Sequence, residues 1–216
     1  MLLKIKICGI TNMPDAEAAV QAGADALGFM FYASSPRHIT PDQASKIIRR
    51  LPPFVAKVGV FVNAPTPSVL DIARHCGLDT LQFHGDESPE ECADPSLAAC
   101  KCLKAFRMRD HSTLRELAPF AEKVDAFLLD SYTPNQRGGT GARFNWDLAV
   151  EARSAGRPVI LAGGLTPDNI AEAVAKVRPY GVDVSSGVEV RPGLKDSAKM
   201  ENFVREARRA AGRPAS

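Results

Sequence analysis

Eight short apolar runs recur along this chain at nearly constant intervals, and that rhythm limits the available folds more than any single motif does. The runs are "LKIKIC" (3–8), "ALGFMF" (26–31), "VGVFV" (58–62), "TLQFH" (80–84), "CLKAFR" (102–107), "AFLLD" (126–130), "PVILA" (158–162) and "GVDVS" (181–185). Each has the length of a strand. Between them lie amphipathic stretches such as "MPDAEAAVQAG", "TPDQASKIIRRL", "TPSVLDIARHCG" and "TPDNIAEAVAKV". The last three begin Thr-Pro, where a hydroxyl can cap the free N–H groups of a helix and proline fits its first turn. Strands joined by single helices run parallel. With Cys8, Phe31, Val62, His84, Arg107, Asp130, Ala162 and Ser185 as strand ends, the separations are 23, 31, 22, 23, 23, 32 and 23 residues. Eight near-equal units are what a closed parallel barrel requires. An open doubly wound sheet would be expected to carry G-x-G-x-x-G after its first strand, and none is present. The expectation is α/β architecture: a single (β/α)8 TIM barrel domain over residues 1–216, with no linker or second domain.

Composition narrows the function classes. The 216 residues are 45% hydrophobic and 24% charged, with a net charge of +2. Basic residues never run longer than two, so no nucleic-acid surface is expected. No apolar run approaches the roughly 18 residues of a membrane span, and the N-terminus lacks the apolar core of a secretory signal. The five cysteines are scattered and odd in number, which fits a reducing cytoplasm better than a disulfide framework. Cys100 and Cys102 form a C-x-C without a second Cys/His pair, so no metal is expected there.

The two long intervals contain "YASSPRHITP" after the second strand and "SYTPNQRGGTG" after the sixth. Loops that follow strands build the active-site face of such a barrel. Both are therefore expected to cover a ligand, and Gly138–Gly141 is expected to form a mobile lid. Strand 7 runs into "AGGLTPDNI" and strand 8 into "SSGVEVRPG". Gly163 and Gly164 allow backbone N–H groups to approach a ligand, and Ser185, Ser186 and Gly187 add hydroxyls and amides. Paired corners of this kind after strands 7 and 8 point to a phosphate grip, hence a small phosphorylated metabolite.

Few groups stand at the strand ends to do chemistry: Cys8, Gln82, His84, Arg107 and Asp130. No lysine ends a strand, which argues against a Schiff-base aldolase. Cys8 and Asp130 lie five strands apart in a ring of eight, so they should face each other across the mouth. A thiol opposite a carboxyl suits proton transfer at two atoms of one substrate. By side-chain alternation Lys6 shares the lumenal face of Cys8, and Asp183 shares the parity of Ser185. A lumenal charge needs a partner, so Lys6 should pair with Asp183, and the lysine should help the thiol ionise.

Taken together, "KIKICGIT" (4–11), "GFMFYASSPRHIT" (28–40), "VGVFVN" (58–63), "LQFHGDE" (81–87), "FLLDS" (127–131), "GGTG" (138–141), "LAGGLTPDN" (161–169) and "DVSSGVE" (183–189) resemble the phosphoribosylanthranilate isomerase family of tryptophan biosynthesis. The resemblance implies a cofactor-independent Amadori rearrangement of N-(5-phosphoribosyl)anthranilate. It implies Asp130 as the general acid that opens the furanose ring and Cys8 as the base that removes the C2′ proton. It also implies phosphate held by the strand 7 and 8 loops, the substrate carboxylate met by Arg37, and supporting roles for Gln82 and His84. Two rivals remain: a histidine-pathway sugar-phosphate isomerase of the same fold, which uses an aspartate where this chain has Cys8, and a non-catalytic sugar-phosphate-binding barrel. Monomer and homodimer are both compatible with the sequence.

Overall fold

The structure, a computed structural model, describes residues 2–131 and 146–212. Eight parallel strands close into a barrel in chain order: β1 (Lys4–Cys8), β2 (Ala26–Met30), β3 (Ala56–Phe61), β4 (Thr80–Phe83), β5 (Lys101–Met108), β6 (Ala126–Ser131), β7 (Val159–Leu161) and β8 (Gly181–Val184). Every strand ends within one residue of the position read from the sequence. β8 pairs back on β1 with Lys6 opposite Asp183. Around the barrel lie α1 (Met13–Gln21), α2 (Pro41–Ile48), α3 (Thr66–Cys76), α4 (Pro89–Cys92), α5 (His111–Leu117), α6 (Trp146–Ala152), α7 (Ile170–Val177) and α8 (Ser197–Ala211). A short antiparallel hairpin, β9 (Glu189–Arg191) and β10 (Leu194–Lys195), follows β8. Among the described residues no helix is long and apolar enough to cross a membrane.

Two-residue alternation separates two apolar regions. Ile5, Ile7, Leu27, Phe29, Leu81, Phe127 and Leu129 point outward and are sealed by the helices. The lumen is filled by Val58, Leu103, Ala105, Ala126, Leu128, Ile160 and Ala162. These lumenal residues are small or medium-sized, which leaves room between them for the long polar side chains of Lys6 and Gln82, both buried.

Only one of the three Thr-Pro signals caps a helix with its hydroxyl. Thr40 heads α2 in a full capping box with Gln43. Thr66 is already helical, and Pro65 occupies the cap position without a side-chain bond. At Thr166 the helix is delayed to Ile170, because Asn169 takes over the turn. Its Oδ1 accepts from the Thr166 N–H at 2.9 Å and its Nδ2 donates to the Gly164 carbonyl at 2.8 Å. The "TPDN" run therefore shapes the corner after β7 before it starts α7.

An ion pair outside the lumen holds the rim beside β4. Lys104 Nζ lies 2.7 Å from Glu87 Oε2 with both side chains almost wholly buried, and it also donates to the Gly85 carbonyl. Glu87 accepts in turn from the Asn63 and Gly85 N–H groups. Removing one partner of a buried pair strands the other charge. Glu87→Ala should therefore lower stability by about 3 kcal/mol or more in urea unfolding, with part recovered in Glu87→Ala/Lys104→Met.

Candidate active site

The C-terminal ends of the strands surround a cavity of about 560 Å³. Its walls include Cys8, Arg37, Gln82, His84, Asp130, Gly163, Gly164, Asp183, Ser185 and Ser186. Lys6 lies one layer below, and Gly187 packs behind the corner it was expected to line. The Gly138–Gly141 segment lies outside the described residues. Arg107 pairs with Asp130 in the β5–β6 register but does not line the cavity. Among the described residues no group of three or more His, Cys, Asp or Glu side chains is placed to hold a metal ion.

Cys8 and Asp130 are 7% and 5% exposed, so each is sheltered from water yet opens onto the same space. Gly28 makes room for the thiol: it is the register partner of Cys8, and a Cβ there would lie 2.6 Å from Sγ. Asp130 is fixed from one side by its neighbour, since Oδ1 accepts the Ser131 N–H at 2.8 Å. On the other side His84 Nε2 lies 3.3 Å from Oδ2.

The corners after β7 and β8 pack closely against each other. Gly163 and Gly164 both have positive φ, +77° and +64°, a region that L side chains rarely adopt. A Cβ on Gly163 would also sit 2.2 Å from the Ser131 nitrogen. Gly187 lets the β8 corner press against the β7 corner, where a Cβ would fall 1.9 Å from the Leu165 carbonyl oxygen. Ser186–Val188 form a single tight turn. The backbone of both corners and the serine hydroxyls of the β8 corner thus line the cavity.

Lys6 meets Asp183 at 3.0 Å, the expected lumenal pair, and also donates to Gln82 Oε1 at 2.7 Å. Burial pulls the Lys6 ammonium down, but Asp183 and Cys8 outweigh it and hold it above the usual lysine value. The effect on Cys8 differs from the sequence expectation. Burial pushes the thiol up, Asp183 adds to that, and the opposing charges of Lys6 and Lys195 do not offset it, so the net shift is upward. Lysine acts with the expected sign and loses to desolvation.

Two residues assigned no role in the sequence complete the site. Glu189 takes Arg37 in a two-point grip, Nε–Oε1 at 2.9 Å and Nη2–Oε2 at 2.7 Å. It also takes Lys195 Nζ at 2.9 Å. Burial pushes the Glu189 carboxyl up, yet the bonds and charges of Arg37 and Lys195 hold it below the ordinary value. Burial lowers the Lys195 ammonium against the pull of Glu189. Lys195 reaches the Ser185 carbonyl as well, at 3.2 Å. The cluster ties the loop after β2, through the hairpin, to the β8 corner. The available signal was "EVRPGLK", with Glu189 and Lys195 on either side of a Pro-Gly turn, and its strands of three and two residues were too short to register.

Comparison with known proteins agrees with the fold. Residues 5–206 match the family model described as N-(5'phosphoribosyl)anthranilate (PRA) isomerase. An N-(5'-phosphoribosyl)anthranilate isomerase from Citrifermentans bemidjiense is 55% identical over 210 residues, covering 97% of this chain and 99% of that protein. A phosphoribosyl anthranilate isomerase crystallised with reduced 1-(o-carboxyphenylamino)-1-deoxyribulose 5-phosphate superposes with a TM-score of 0.86 at 39% identity, covering 95% of this chain and 98% of that one. Crystallised monomers of the dimeric enzyme from Thermotoga maritima give a TM-score of 0.85 at 38% identity, with coverage of 95% and 98%. The chain belongs to the N-(5'-phosphoribosyl)anthranilate isomerase family.

Proposed function

We propose that this chain isomerises N-(5-phosphoribosyl)anthranilate to 1-(2-carboxyphenylamino)-1-deoxyribulose 5-phosphate in tryptophan biosynthesis, with Asp130 as acid and Cys8 as base. The observation that carries the assignment of roles is that a sheltered thiol and a sheltered carboxyl open onto one cavity whose far end is built from the Gly163–Gly164 and Ser185–Ser186 corners. The family match favours this over the histidine-pathway rival.

The steps follow from what each group can give. Asp130 in its acid form delivers its proton to the furanose ring oxygen. The C1′–O bond breaks, and the anilino nitrogen lone pair forms the C=N bond. The Cys8 thiolate then takes the C2′ proton, and the electron pair moves through C1′–C2′ to quench the iminium as an enolamine. The enolamine then tautomerises to the ketone, gaining a proton at C1′ as the enol proton leaves, and proton exchange with solvent returns Asp130 to the acid and Cys8 to the thiolate. Atoms and electrons balance within the substrate. The phosphate lies against the amides of the two corners. Arg37, oriented by Glu189 through Nε and Nη2, meets the substrate carboxylate with Nη1.

Turnover is read as loss of anthranilate fluorescence. Cys8→Ser and Asp130→Asn should each lower kcat by about a hundredfold or more, the usual scale for a general base or acid. Near-normal turnover in either would remove that residue from the scheme. Because the thiol stands above its ordinary range, kcat/KM should climb on an alkaline limb set by Cys8 ionisation. Lys195→Met removes a cation that favours thiolate, so it should move that limb to higher pH; a limb that stays in place refutes the link.

We further propose that the chain forms a homodimer through the opposite end of the barrel. Phe54, carried on a Pro-Pro-Phe turn, is 98% exposed. It stands at the edge of a second cavity of about 490 Å³, lined by Val58, Leu103, Ala126, Ile160 and Tyr180 among others. A knob and a hole on one face can satisfy each other reciprocally across a two-fold axis. Sedimentation should show a dimer for the native chain and a monomer for Phe54→Asp; a monomeric native chain would refute the proposal.

A further inference from the structure

The lumen holds a continuous polar chain across the floor of the cavity. It runs from Asp183 on β8 to Lys6 on β1 (3.0 Å), then to Gln82 on β4 (2.7 Å). From there it passes to His84 Nδ1 (2.9 Å) and ends where His84 Nε2 meets Asp130 Oδ2 on β6 (3.3 Å). Lys6, Gln82, Asp130 and Asp183 are all buried.

Its direction is fixed by one group. An ammonium has three donors and no acceptor, so the Gln82 atom facing Lys6 is the amide oxygen. The remaining Gln82 atom is then the NH₂, which only donates. His84 Nδ1, which faces it, must accept, so the ring proton sits on Nε2. Turning the Gln82 amide over, or moving the ring proton to Nδ1, would set two buried donors against each other.

We propose that Lys6, acting through Gln82, locks His84 as the Nε2–H tautomer, and that this N–H is held beside Asp130 to receive the charge that forms when the acid gives up its proton. His84 is thus a positioning residue: Gln82 sets its tautomer, and His84 presents the donor. The resting contact supports this reading. At 3.3 Å the Nε2 atom makes no aligned hydrogen bond among the described residues, although it is buried. A donor that tightens as negative charge forms on Oδ2 favours the transition state over the ground state. Asp130 would then leave the reaction with a donor on each oxygen, Ser131 N–H on Oδ1 and His84 N–H on Oδ2.

The tautomer does not depend on the isomerase reading; the kinetic consequence does. With imidazole-¹⁵N histidine, His84→Gln assigns the His84 signals among the four histidines. Without substrate at neutral pH, the native protein should show protonated Nε2 and bare Nδ1. Gln82→Met should lose that fixed pattern. A proton on Nδ1, or on both nitrogens, overturns the proposal. In turnover, His84→Leu should lower kcat by about a hundredfold, as for loss of one transition-state donor, with KM changed less than about threefold. His84→Gln, which keeps an N–H near the Nε2 position, should recover at least about tenfold of that loss. Native-like kcat in His84→Leu, or a loss confined to KM, overturns the kinetic half. A native protein inert toward phosphoribosylanthranilate would instead overturn the isomerase reading and leave the tautomer to the spectra.

Discussion

Lys6 is the charge around which the interior of this barrel is arranged. An ammonium taken out of water is tolerated only where other groups replace its hydration. Here Asp183 supplies the counter-charge and Gln82 the further acceptor. Those two partners could hardly be elsewhere, because β8 pairs with β1 in a register that sets Asp183 directly beside Lys6. Satisfying one lysine therefore orders a carboxylate on β8 and an amide on β4, and with them the polarity of everything further along. Cys8 stands on the same strand face, two residues on, within reach of the same charge. The surroundings of Cys8, the proposed tautomer of His84 and the contact it makes with Asp130 all trace to how one cation is accommodated.

That cation does not by itself make Cys8 reactive. Desolvation outweighs the two ammonium groups, and Asp183 works against them. A site tuned only for a free thiolate would omit the aspartate. Its presence means the lysine charge is largely neutralised locally, which allows it to remain buried and protonated. The compromise gives up resting thiolate for a buried lysine whose charge is met.

The sequence disclosed the parts of this design that follow a period. Strand ends came within a residue because each βα unit has nearly fixed length, and the Lys6–Asp183 pair followed from two-residue alternation combined with ring closure. The Gly163–Gly164 and Ser185–Gly187 corners were legible because their position after strands 7 and 8 is itself a rule of the fold. What escaped depends on which competitor wins at one place. Thr166 looked like a cap equal to Thr40, but Asn169 is better placed to bond both the Thr166 N–H and the Gly164 carbonyl. Glu189 and Lys195 sit in strands of three and two residues, too short for any periodicity. The net direction of the Cys8 shift needed the balance of burial against charge, which a residue pattern does not contain.

The two kinds of part also differ in how they are held. Cys8 and Asp130 belong to strands of a closed ladder, so their separation across the mouth is set by barrel closure rather than by loop conformation. The groups proposed to bind the substrate's phosphate and carboxylate lie on connections that lack such a ladder. Each connection is fastened by a dedicated side chain: Asn169 for the β7 corner, Glu189 with Lys195 for the β8 corner and for Arg37. Fastening Arg37 and, through Lys195, the β8 corner to the same carboxylate joins the two proposed anion-binding ends mechanically. Arg37 and the β8 corner therefore shift together or not at all, while Cys8 and Asp130 stay where the strands put them.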